Sequence, residues 1–429
     1  MSQGTMKKGL TWMAAVLLAL VTPGWASGSQ PPDRPADPDL TSLREEILRL
    51  QEKVDRLEEK QEETDSSVRG LLDGVSSRFT FGGYGEIHAN FAEGSDPDLI
   101  DIHRLVAFLG YEFAEWIRLS SETELEHAFV SNEDEGDGEL VVEQLFIDFL
   151  LCDAVNIRFG RMLTPLGIIN QNHEPPTFNG VERPTFANLI IPSTWSSDGV
   201  GIFGDLASNV TYELSVVGGL DGSKFSDTKG IRDGRISGRP SLHEPAFTGR
   251  VDVFPLLNTD LPPARDLRLG ASFYQGGLDN GNKGVDPGVN GDIAIYSGDG
   301  EVTLHDLDFR GVVAYERIRN AGELGNGTAQ ALFGAYLEAG LHVWPAAWRT
   351  ERFARTDLVV FVRRDWIDTQ NKMPSGVVRN EKGQRTEWTT GVTWLLTPGL
   401  VVKADVQFRN DRTSEDLSTL FNLGVGWIF

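Results

Sequence analysis

The chain has 429 residues, with 39 Lys+Arg against 63 Asp+Glu and a formal net charge of −24. That acidity argues against a nucleic-acid partner, because phosphate binding needs a basic footprint. Apolar residues make up 40%, without the repeated runs of about 20 that helical membrane spans need, and a lone cysteine, Cys152, excludes an internal disulfide framework or a cysteine-based zinc cluster.

From the N-terminus, Lys7-Lys8 precede an apolar run from Leu10 to Val21, followed by Gly24-Trp25-Ala26. The run is too short to cross a bilayer but suits a secretory signal peptide over residues 1–26, cut after Ala26. Residues 27–39, rich in Pro, Asp and Gly, read as an extended linker. Leu40, Leu43, Ile47, Leu50, Val54, Leu57, Val68, Leu71 and Val75 then alternate three and four apart, with Gln61 and Thr64 as a polar layer. That seam predicts a periplasmic coiled coil over residues 40–77 that ties subunits together. A single solvated amphipathic helix is the alternative.

From Phe79 the period becomes two. Phe79, Phe81, Gly83, Gly85, Ile87, Ala89 and Phe91 share one face, while Thr80, Tyr84, Glu86, His88 and Asn90 share the other. The same alternation recurs at 117–129, 210–216, 247–253, 267–273 and 400–409. Period alone does not separate a soluble sandwich from an outer-membrane barrel, but three other features do. Short turns at Ala114-Glu115, Asp153-Ala154, Ala207-Ser208, Arg310-Gly311 and Pro398-Gly399, with two longer ones near 255–266 and 345–355, alternate with long polar loops such as 131–138, 221–244, 276–300 and 368–384. Trp116, Trp344, Trp394 and Trp427 fall near the short-turn ends, where an interfacial aromatic girdle would sit. The final strand runs apolar to the terminal Phe429. Seven turns and eight loops predict an all-β transmembrane barrel of about 16 antiparallel strands over residues 78–429, a size that leaves an aqueous channel.

These residues resemble the phosphate-selective porins of the O and P type, in the branch with an N-terminal coiled coil. The similarity is carried by Phe81-Gly82-Gly83-Tyr84-Gly85-Glu86-Ile87-His88, by His173-Glu174-Pro175-Pro176-Thr177-Phe178-Asn179-Gly180-Val181-Glu182-Arg183, and by Ile190-Ile191-Pro192-Ser193-Thr194-Trp195. Ile231-Arg232-Asp233-Gly234-Arg235 and residues 422–429 add to it. The resemblance implies a trimeric 16-stranded channel of the bacterial outer membrane passing small polar solutes, often anions. It also implies a third long loop, about 164–200, that folds into the barrel and narrows it.

Prolines 165, 175, 176, 184 and 192 stiffen that loop, and Ile168, Ile169, Leu189 and Ile190 are expected on the wall. Its charged or titratable residues are His173, Glu174, Glu182, Arg183 and Asp198. A strongly anion-selective constriction needs clustered Lys or Arg, and this loop carries one Arg and no Lys. Arg118, Arg158, Arg250, Arg268 and Lys403 are the inward cationic candidates on the wall, opposed by Glu122, Glu124 and Glu126. The expected constriction sets Arg183 and wall arginines across from that acidic ladder.

No catalytic residues, metal ligands or cofactor are expected: His173-Glu174 and His243-Glu244 are isolated pairs without a spaced ligand set, and period puts His127 on the lipid side. The expected partners are outer-membrane lipid and lipopolysaccharide, small polar solutes, two further copies of the chain, and the barrel assembly machinery that reads the Phe429 end. The rival to a porin is a structural tether whose coiled coil grips a periplasmic partner or peptidoglycan.

Overall fold

The computed structural model describes residues 77–93, 98–127, 139–235, 240–241, 243–257, 267–282, 289–413 and 418–429, together with Arg49, Lys53 and Arg56. The expected signal peptide and linker lie outside the described residues, as does the coiled-coil segment apart from those three positions, which are helical and exposed, and Ser77, which lies in a turn. The chain divides into Met1–Asp73 and Gly74–Phe429.

The second unit is built of sixteen strands: β1 (Phe79–Ala92), β2 (Leu99–Ala114), β3 (Ile117–Glu126), β4 (Glu139–Cys152), β5 (Val155–Leu163), β6 (Ser196–Ala207), β7 (Val210–Val217), β8 (Ala246–Val253), β9 (Arg268–Gly277), β10 (Asp292–Leu304), β11 (Leu307–Arg319), β12 (Ala331–His342), β13 (Asp357–Lys372), β14 (Gln384–Thr397), β15 (Leu400–Asp411) and β16 (Ser418–Ile428). Each pairs antiparallel with its sequence neighbours, and β1 pairs with β16 to close the ring. Closure satisfies every strand edge, the condition for crossing a bilayer in β structure. At the seam the Phe429 N–H donates to Gly83 O at 2.9 Å and the Gly83 N–H donates to Phe429 O at 3.1 Å. The apolar last strand is thereby used to its final residue.

The side-chain alternation is inverted relative to a soluble protein. Phe81, Leu109, Phe159, Phe247 and Leu337 are exposed on the outer wall, while Glu86, His88, Glu124, Asp148, Arg250 and Asp405 are buried inside it. An outer wall this apolar is stable against acyl chains and a liability in water. Trp116 lies in the β2–β3 turn, and Trp344, between β12 and β13, stacks on Trp394 with ring centres 6.2 Å apart. This belt sits at the rim of short connections.

Four expectations are corrected. Arg310-Gly311 is no turn. It lies inside β11, and the turn is His305-Asp306, where His305 takes φ 61°. Gly311 makes room for a neighbour and not for a turn, since a Cβ there would lie 2.6 Å from Leu337 Cδ2. The loop expected at 276–300 ends early because β10 begins at Asp292. The third long loop ends at Trp195, so Asp198 stands on β6, where it pairs with Arg161 at 2.6 Å. His127 is not turned to lipid: it follows the end of β3 with φ 46°, and its Nδ1 lies 2.5 Å from Asp101 Oδ2.

The interior is also less polar than strict alternation implies. Tyr274, Ile293, Ile295, Val312, Ala314, Ile318, Leu332 and Tyr336 point inward from β9–β12. They pack with Leu166, Ile168, Phe186, Leu189, Ile190 and Trp195 of the third loop and Leu220, Phe225 and Ile231 of the fourth into one buried apolar cluster. Ile169 packs separately with Phe178 and Ala187.

Candidate functional site: the interior constriction

The segment 164–195 crosses the barrel interior, and wall side chains hold it along its length. Arg250 on β8 donates to Gly167 O at 3.0 Å. Asn179 Nδ2 donates to Glu338 on β12 at 3.0 Å, and Arg363 on β13 donates to Asn179 O at 3.1 Å. The Val181 N–H donates to Asp405 on β15 at 2.6 Å. Thr185 donates to Glu387 on β14 at 2.5 Å, and the Phe186 N–H, opening the single-turn helix α1 (Phe186–Leu189), donates to Asp365 on β13 at 3.1 Å. Buried peptide N–H groups turned away from any strand need partners, and inward carboxylates supply them. The loop also packs closely on β16: a Cβ at Gly424 would lie 2.9 Å from Val181 Cγ1, and one at Gly426 would overlap Pro175. Those two glycines leave the space the loop occupies.

The wall arginines named from the sequence are not free in the lumen. Arg158 makes a bidentate pair with Asp148 at 2.8 and 3.0 Å, and Arg118, about half exposed, lies 3.7 Å from the same carboxylate. Arg250 and Arg268 begin a belt of alternating charge that continues through residues sequence reasoning missed. Arg250 and Arg268 share Asp252 and Asp299, and Arg268 pairs with Glu301. Arg310 spans Glu301 and Glu338 at 3.6 Å, and Arg363 joins Glu338 to Asp365. The belt runs from β8 to β13. Arg104 on β2 performs the same service on the opposite side, pairing with Glu86, Glu124 and Glu126. Lys403, 3% exposed, has its Nζ 3.7 Å from the centre of the Phe178 ring, a cation–π contact with the loop.

Glu182 accepts from His88 Nδ1 at 3.1 Å and Asn90 Nδ2 at 3.0 Å. Burial disfavours its charged form, but the hydrogen bond and charge of His88 outweigh that and hold the Glu182 carboxyl at about 2. Glu174 is half-buried, its carbonyl accepting from Thr177. His173 is buried between Glu122 and Glu143.

Arg183 differs from the wall arginines. It donates to Ser193 Oγ at 3.2 Å and His173 O at 3.1 Å and makes no ion pair among the described residues. Two fourth-loop arginines stand beside it. Arg235 donates to Ser193 O at 2.9 Å, and Arg232 reaches Asn188 O at 3.5 Å. Neither forms an ion pair among the described residues. Burial pulls the Arg235 guanidinium down to about 10, with Arg232 adding to it. Arg232 and Arg235 face Glu124, Glu126, Glu139 and Glu143 across a cavity of about 620 Å³. Opposed charge across that cavity therefore exists; its positive groups without an ion pair are the loop arginines, while the wall Arg161 that also lines it is paired with Asp198. The only sequence signal for it was the Ile231–Arg235 motif.

The described barrel has the fold of the outer-membrane porins. It superposes on Salmonella typhi OmpF, solved in complex with daunomycin, with a TM-score of 0.53 at 10% identity over 82% of this chain and 97% of that one. A loop-deletion form of OmpT, an outer membrane protein of Vibrio cholerae, gives 0.52 at 12% identity over 82% and 99%. An anion-selective porin from Comamonas acidovorans gives 0.50 at 10% identity over the same shares. No family model matches the chain. By sequence it belongs to one family with an uncharacterized protein of Aquifex aeolicus (strain VF5), to which it is 31% identical over 382 residues, 85% of this chain and 82% of the relative.

Proposed function

We propose that the protein is a porin of the bacterial outer membrane, a passive channel for small polar solutes, anions of the phosphate type among them. The observation that carries this reading is the charged gap between the loop arginines 232 and 235, with Arg183 beside them, and the β3–β4 carboxylates. Such a gap orients a dipolar solute and offers unpaired guanidinium groups to an anion without excluding cations outright. The paired belt of wall arginines supports modest selectivity, because those cations are already neutralised by neighbouring carboxylates. The resemblance to phosphate-selective porins in the His173–Arg183 stretch supports the same class.

In this reading the chain assembles as a homotrimer, with residues 40–77 as a periplasmic coiled coil, the outer wall against lipid and lipopolysaccharide, and Phe429 read during barrel assembly. Planar-bilayer recording of the purified full chain tests it. Stepwise conductance is expected, and a barrel that inserts without carrying current would overturn it in favour of a tether.

A further inference from the structure

Three buried groups from three elements converge beside the constriction: Glu122 on β3, Glu143 on β4 and His173 on the loop, 4%, 1% and 1% exposed. Their ligand atoms all lie within 4.8 Å of one another. His173 Nε2 lies 3.4 Å from Glu143 Oε1 and 3.6 Å from Glu122 Oε1. Among the described residues, His173 Nε2, Glu122 Oε1 and both Glu143 oxygens have no hydrogen-bond partner. Leaving so many polar atoms unsatisfied in one buried spot is costly unless something binds them.

The separations decide what that is. They exceed a good N–H···O bond, at about 2.7–3.2 Å. Donors held about 2.0–2.1 Å from a tetrahedral ion sit roughly 3.4 Å apart, close to the 3.4 and 3.6 Å that separate His173 Nε2 from the two carboxylates. The surrounding contacts prepare the ligands. His173 Nδ1 faces Asn170 O at 3.3 Å, an acceptor for the Nδ1 proton when an ion takes the place of the proton on Nε2. Gln144 Nε2 donates to Glu122 Oε2 at 2.5 Å, which fixes that carboxylate with Oε1 turned inward. Two carboxylates and a neutral imidazole carry the charge that a divalent cation cancels.

We infer that Glu122, Glu143 and His173 bind a divalent first-row transition-metal ion of the Zn²⁺ type. Mg²⁺ and Ca²⁺ fit poorly, since they call for more oxygen ligands and no imidazole. The ion joins the loop to the β3–β4 wall and so holds the constriction in place. The site goes beyond the channel reading and does not depend on the barrel conducting.

The test uses the full chain, folded in detergent and stripped with a chelator, in equilibrium dialysis against ZnCl₂ with excess MgCl₂. Uptake of about one Zn²⁺ per chain is expected, with Co²⁺ giving a tetrahedral visible spectrum. Glu143→Gln and Glu122→Gln should each weaken binding by on the order of a hundredfold, while the barrel keeps its folded mobility on gels. Zn²⁺ should protect the loop from protease in the parent protein and not in Glu143→Gln. Absence of Zn²⁺ uptake overturns the inference. So does wild-type affinity in both Gln variants, or binding that is lost in His103→Ala and kept in His173→Ala, which would place the ion among His88, His103 and Glu182 instead.

Discussion

The Asp405 carboxylate on β15 accepts a 2.6 Å hydrogen bond from the backbone N–H of Val181, more than two hundred residues earlier in the chain. Its other oxygen accepts from Asn422 at 2.8 Å, so the anchor is itself held. Asp405→Ala removes the only carboxylate acceptor shown for that N–H and should cost about 1.5–3 kcal/mol of loop attachment. Faster proteolysis within residues 176–184, with the barrel's own thermal transition nearly unchanged, is the expected result.

Gly426→Val attacks the same attachment from the other side. A side chain at position 426 overlaps Pro175, and overpacking of this kind costs about 1–3 kcal/mol. The loop should lift from β16, read as increased hydrogen exchange around Phe178. Gly298→Ala is the control, because a Cβ there meets nothing within 4 Å.

In the proposed channel, selectivity falls to the loop arginines. Replacing Arg232 and Arg235 together with Ala should raise the cation-to-anion permeability ratio by on the order of a few-fold, measured as a reversal-potential shift in asymmetric KCl. Arg183→Ala should move it the same way. Removing Arg158 and Asp148 together should not, since the two charges cancel in the parent protein.

Acid should loosen the loop through Glu182. Its carboxyl is held at about 2, below the usual 4.5. A carboxyl depressed on folding contributes stability above its unfolded value and loses it as pH falls through its folded value. Protection of residues 176–184 against hydrogen exchange should therefore decline between about pH 4.5 and pH 2, and Glu182→Gln should flatten that decline.

Sequence reasoning reached the barrel because its main constraint is local. Period two, glycine- and aspartate-rich connections and a terminal aromatic are written into short windows, and the sixteen strands follow from counting them. Errors arose where one residue type serves two purposes. Gly311 and Gly300 accommodate neighbours within strands yet look like turn glycines, and β10 through β12 carry apolar residues on both faces, which hides their alternation. The site was harder. His173, Glu182 and Arg183 stand out in a motif, but their meaning depends on Glu143, Asp405, Arg232 and Arg235. These residues meet only after the ring closes, and no spacing along the chain records their meeting. The pairing of Arg250 with Asp299 was hidden for the same reason, so a candidate cation became part of a neutral belt.

The apolar cluster joining β9–β12 to the third and fourth loops has a geometric consequence for traffic. It fills the interior beside β9–β12 with apolar side chains of wall and loops, so in the proposed channel a polar solute's path is confined to the space that cluster leaves.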